Sequence, residues 1–158
     1  MVEKVRYSAS EVFQFAIRIE ENGALLYRRL AEKTEDSRWK EIFTYLADQE
    51  DQHRTTFEKL LASLENYQPQ EIYPDEYFLY LRSFADNIIF TSQTEKELAA
   101  GSGITDIIDF AIRRELDSIM YYLETKPLVP PGQQNQVEKI IEEERRHFLQ
   151  LSELRKKY

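Results

Sequence analysis

Residues 137–154 read Val137-Glu138-Lys139-Ile140-Ile141-Glu142-Glu143-Glu144-Arg145-Arg146-His147-Phe148-Leu149-Gln150-Leu151-Ser152-Glu153-Leu154. Val137, Ile140, Glu144, His147, Leu151 and Leu154 follow one another at steps of three and four, the spacing that keeps side chains on one face of an α-helix. That face is apolar at both ends and polar in the middle. Glu144 and His147 stand in slots that ordinarily hold leucine, so the decisive question is what a carboxylate and an imidazole do inside a core.

The pattern recurs. A second helical face runs through Phe43, Leu46, Glu50, His53, Phe57, Leu60 and Leu64, again with Glu-x-x-His at its centre. Two other runs carry one carboxylate each: Phe13, Ala16, Glu20, Gly23, Tyr27 and Leu30, then Ile108, Ala111, Glu115, Ser118 and Tyr122. Phe15-Ala16-Ile17-Arg18-Ile19-Glu20 also resembles Phe110-Ala111-Ile112-Arg113-Arg114-Glu115, and the two Glu-x-x-His pairs follow at nearly equal offsets. The chain reads as two duplicated halves.

Punctuation between these runs sets the topology. Ser8-Ala9-Ser10-Glu11 is a capping box that opens the first long helix, and the polar stretch 32–37 closes it. A second helix is expected over about residues 38–66. From Pro69 and Pro74 to Gly101-Ser102-Gly103 lies a segment too long for a hairpin loop. It has helical stretches at Tyr77-Phe78-Leu79-Tyr80-Leu81 and Ile88-Ile89-Phe90, and a second capping box at Thr94-x-x-Glu97. A third long helix is expected over about 104–125, broken by Pro127, Pro130, Pro131 and Gly132, and the last over about 133–156. The expectation is an all-α chain, one domain over residues 1–158, folded as a four-helix bundle with a long, partly helical crossover between its second and third helices.

Composition limits the chemistry. The 158 residues include no cysteine, which removes disulfides, iron-sulfur clusters and thiol nucleophiles; any metal must be held by oxygen and nitrogen. A net charge of -8 and a pI near 4.9 disfavour nucleic acid or an anionic membrane as partner and suit cations. No uncharged run approaches membrane-spanning length and Met1-Val2-Glu3-Lys4-Val5-Arg6-Tyr7 has no apolar stretch, so a cytoplasmic location is expected.

Four carboxylates buried together need compensation, because an uncompensated charge cluster in a low-dielectric core is prohibitively costly. Lys and Arg are absent from the seam slots. Two divalent cations would balance Glu20, Glu50, Glu115 and Glu144 with His53 and His147 neutral. A lone Glu-x-x-His is a weak signal; two of them, at the centres of two seams and containing both histidines of the chain, form a far more specific one. Carboxylate oxygens with imidazole suit two iron ions, with manganese second.

The order Glu20, Glu50-x-x-His53, Glu115, Glu144-x-x-His147 resembles the ferritin-like di-iron carboxylate superfamily, and the repeated halves resemble its rubrerythrin branch over nearly the whole chain. The resemblance implies that Glu50 and Glu144 bridge two irons, that Glu20 and Glu115 are terminal ligands, and that the site is an oxidoreductase acting on hydrogen peroxide or dioxygen. It further implies that Tyr27 and Tyr122, seven residues after the first and third carboxylates, hydrogen-bond near the site; as residues they read equally as large core side chains. A homodimer is common in that family. Rubrerythrins commonly carry a rubredoxin-like domain for electron delivery, and this cysteine-free chain does not, so an external electron-donor protein is expected. Ser118 stands where rubrerythrins usually have another glutamate, with Gly23 its counterpart on the first helix, and the two small residues suggest an opening for oxidant or solvent. The alternatives are a ferroxidase or iron-handling protein, and a non-catalytic metal-binding bundle of sensory or structural role. Trp39 is expected to be a packing residue, and Glu142, Glu143, Arg145 and Arg146 to lie on solvated faces.

Overall fold

A computed structural model describes residues 9–64, 74–88 and 103–158. Its elements are α1 (Ala9–Lys33), α2 (Ser37–Ser63), α3 (Asp75–Ile88), α4 (Ile104–Thr125) and α5 (Gln134–Arg155), with 3-10 turns at Lys126–Leu128 and Pro131–Gln133 between the last two. Among the described residues there is no strand, and no helix is long and apolar enough to cross a membrane. Ser8, Pro69, Ile89, Phe90 and the Thr94-x-x-Glu97 box lie outside the described residues.

Helix ends follow local chemistry. Asp36 keeps extended backbone angles and its carboxylate accepts from the Arg38 amide at 2.9 Å, capping α2 after a three-residue turn. Such a cap contributes about 1 kcal/mol. Pro127 ends α4, since a proline inside a helix removes one amide and clashes with the preceding turn, and the chain passes through two tight turns into α5. Among the described residues of the crossover, the expected helix at Tyr77-Phe78-Leu79-Tyr80-Leu81 extends without a break over Asp75–Ile88 as α3. It lies across α1 and α4, buries Leu81 and Ala85, and is tied down by Tyr77, whose hydroxyl donates to the Glu124 carbonyl at 2.6 Å.

The apolar seams bury as their spacing requires. Two clusters result. One joins Phe13 and Ala16 of α1, Phe57 and Leu60 of α2, Tyr122 of α4 and Val137 and Ile140 of α5. The other joins Tyr27 and Leu30, Phe43 and Leu46, Ile108 and Ala111, and Leu151 and Leu154. The first holds the N-terminal halves of α1 and α5 with the C-terminal halves of α2 and α4, and the second holds the opposite ends. Thus α1 runs parallel to α5 and antiparallel to α2 and α4, and the link from α2 to α4 has to travel the length of the bundle. Burying each large side chain contributes about 1.5–3 kcal/mol. Trp39 packs on the second cluster, with Lys157 Nζ 4.9 Å from its ring centroid, as a packing residue.

Candidate metal centre

Between the two apolar clusters lies a polar layer. Glu20, Glu50, His53, Glu115, Glu144 and His147 are each at most 4 % exposed, a burial that glutamate reaches only with strong partners. All six residues singled out by spacing come together. They form two overlapping groups whose oxygen and nitrogen atoms lie within 4.8 Å of one another: Glu20, Glu50, His53 and Glu144, and Glu50, Glu115, Glu144 and His147. Glu50 and Glu144 belong to both. Each helix of the bundle delivers its carboxylate to the same level because the repeat sets them at matching heights.

Both histidines turn Nδ1 inward. His53 Nδ1 is 3.1 Å from Glu144 and 3.4 Å from Glu20; His147 Nδ1 is 3.0 Å from Glu144, 3.1 Å from Glu50 and 3.5 Å from Glu115. Proximity is not pairing here. Glu20 Oε2, Glu50 Oε1, Glu144 Oε2 and His147 Nδ1 are buried without an aligned hydrogen bond. Buried polar atoms are almost always satisfied, so several such atoms pointing at one volume mark a place where a cation fits.

The protonation balance of the metal-free cluster shows the same tension. Burial disfavours the imidazolium of His53, but Glu144 and Glu20 outweigh it and its pKa is pushed up to about 12. For His147 burial again opposes, and Glu115 and Glu144 push it up to about 11. Burial, then Glu144 and Glu20, raises Glu50 well above the usual carboxylate range; burial and Glu144 do the same to Glu115, against His147. Glu144 goes the other way, because the two histidines overcome its burial. Without a metal, the cluster balances its charge with protons.

Tyr27 and Tyr122 prove to be crossed partners of the site. The Tyr27 hydroxyl on α1 donates to Glu115 on α4, and Tyr122 on α4 donates to Glu20 on α1. Burial first, and then the adjacent carboxylates, hold both phenols well above their ordinary pKa, so they remain donors. Two features were not legible in the sequence. Glu143, expected on a solvated face, is only 26 % exposed, and its carboxylate lies 2.5 Å from His53 Nε2. It sits one residue off the seam, and only the approach of α2 brings a histidine to it. Gly23 is a close-approach position: a Cβ there would stand 2.8 Å from Glu50 Oε2.

A buried layer of four carboxylates and two histidines inside a bundle with one long crossover defines the ferritin-like class of di-iron carboxylate proteins. The family model described as Rubrerythrin matches residues 11–155, and the chain belongs to that family. A crystal structure of a candidate ferritin-like diiron-carboxylate protein from Thermotoga maritima is similar over 98 % of both chains, with a TM-score of 0.71 and 30 % identity. Among curated proteins nothing matches significantly.

Proposed function

We propose that this chain is a di-iron oxidoreductase that reduces hydrogen peroxide, or dioxygen, at the polar layer of the bundle. The observation that carries the reading is the convergence of buried, unpaired carboxylate oxygens and the His147 Nδ1 on one volume. In this reading Glu20 and His53 would hold one ion and Glu115 and His147 the other, with Glu50 and Glu144, which belong to both groups, available to each. Carboxylate oxygens with imidazole suit iron first and manganese second; a bound iron pair would supply redox chemistry, and the overall reduction balances as H2O2 + 2 H+ + 2 e− → 2 H2O.

The protein's own groups set the conditions. Tyr27 and Tyr122 hold Glu115 and Glu20 in place from the opposite helix, and the apolar clusters above and below the layer keep water from its two ends. The electrons return from an external donor protein. A cytoplasmic homodimer completes the reading, with the exposed Leu116, Met120 and Leu123 of α4 and the exposed Leu79 and Tyr80 of α3 as apolar surface for self-association.

Anaerobic stopped-flow mixing of the diferrous protein with peroxide tests this. We expect oxidation of both irons much faster than that of free ferrous iron. Oxidation no faster than the free ion, in protein that holds two irons, would leave a non-catalytic binding bundle; steady uptake of ferric iron beyond two per chain would point to iron handling instead.

A further inference from the structure

The centre is built from two related halves, yet their surroundings differ. Behind His53 stands Glu143, with 2.5 Å between Nε2 and the carboxylate. The repeat aligns Glu144 with Glu50, so the counterpart of Glu143 is Gln49, a half-buried amide with no charge to offer His147. A carboxylate that accepts a ligand histidine's second N–H fixes its tautomer and makes the inward nitrogen a stronger donor to a metal.

The other difference concerns access. A cavity of about 20 Å³ lies between α1 and α4, and its walls include Gly23, Asn22, Glu50, Arg114, Glu115 and Ser118. Roughly 10–15 Å³ of such space holds one water-sized molecule. Glu20, His53, Glu144 and His147 take no part in its walls. Asn22 brings an amide nitrogen that is buried without a hydrogen-bond partner, a group suited to a small polar ligand. Among the residues that belong to one ligand group only, Glu115 lines this cavity and Glu20 and His53 do not; Glu50, which also lines it, is shared by both groups.

We propose that the two metal positions are inequivalent: the ion held with Glu115 and His147 is approached through the α1–α4 cavity and exchanges readily, whereas the ion held with Glu20 and His53 is anchored by Glu143, a positioning residue. This rests on the di-metal reading above. An ion leaves when incoming oxygen atoms replace its ligands one at a time, so the position with a path for a water-sized ligand loses its ion first. The other position, whose histidine is held from behind by an anion, loses its ion last.

The test is metal release from the full chain loaded with two Co2+ ions and mixed with excess EDTA, following the cobalt absorption and the cobalt retained. We expect two phases of one ion each, separated at least tenfold in rate. Glu143→Gln should accelerate the slow phase by roughly 10–100-fold, the usual cost of losing such a partner, and leave the fast phase unchanged. Ser118→Leu, which fills the cavity, should slow the fast phase. Release of both ions in one phase, or an effect of Glu143→Gln on the fast phase, would overturn the inequivalence while leaving the di-metal reading intact. Failure of the parent chain to take up two Co2+ would overturn both.

Discussion

The imidazole rings of His53 and His147 lie face to face, with centroids 5.7 Å apart and planes 17° from parallel. Two protonated rings at this separation repel each other, and only the carboxylates around them make the arrangement tolerable. Two bound metal ions would remove that repulsion by taking the Nδ1 positions. We expect His53→Ala and His147→Ala each to lower the stoichiometry from two ions per chain toward one. In the parent protein, saturation to about a hundred times the dissociation constant stabilises the fold by about 2.7 kcal/mol per site, or roughly 5–10 °C in Tm for a chain of this size. Elemental analysis with calorimetric melting checks both; equal Tm values with and without metal would remove the site.

Metal binding should release protons. In the metal-free protein His53 and His147 are pushed up to about 12 and 11 by their carboxylate neighbours against the effect of burial, so both are cations at neutral pH. Binding requires each Nδ1 to be bare, and protons are therefore products of the reaction. The sign follows: apparent affinity rises with pH and falls in acid. Titration calorimetry at pH 7 in buffers of different ionisation enthalpy should show at least two protons released per two ions.

Gly23→Ala is expected to act with opposite signs on the two states. The added methyl would stand 2.8 Å from the end of the Glu50 side chain, a flexible group that can move aside in the metal-free protein. There the change from glycine to alanine within a helix should stabilise by about 0.5–1 kcal/mol. In the loaded protein Glu50 has nowhere to go without leaving its ions, and affinity should fall. Comparison of Tm with and without metal detects a crossing that an ordinary packing defect would not produce.

Tyr27→Phe and Tyr122→Phe remove the donors to Glu115 and Glu20. Leaving a buried acceptor without its donor costs about 1–3 kcal/mol, so each variant should melt several degrees lower while still binding two ions. If the hydroxyls hold the carboxylates for turnover, the rate of ferrous oxidation falls as well; an unchanged rate in stopped flow would reduce both tyrosines to core residues.

The seams show how far local spacing reaches. Steps of three and four along α2 and α5 placed Glu50, His53, Glu144 and His147 on the buried faces, because a helix whose ends are apolar carries its middle inward with them. The same holds for Glu20 and Glu115. What spacing cannot convey is which helix faces which. The crossed bonds of Tyr27 and Tyr122, the bond from the Tyr121 hydroxyl to the Val12 carbonyl at 2.9 Å, and the seat of Glu143 behind His53 all join residues about ninety or more positions apart. The unbroken α3 was hidden for a related reason: its polar residues, Arg82, Ser83 and Asp86 among them, break the apolar pattern, while Leu81 and Ala85 bury against α1 and α4.

Two oily ends joined by a charged waist make an unusual spring. In most bundles the ends of helices fray and the middle holds, but here each apolar cluster clamps one end of every long helix while the polar layer between them coheres only through borrowed charge. Stripped of cations, the chain should exchange amide hydrogens fastest near residues 20, 50, 115 and 144 and slowest toward the clusters. Loading would stiffen the waist, so the metal content of a single molecule is written in how its backbone breathes at the centre.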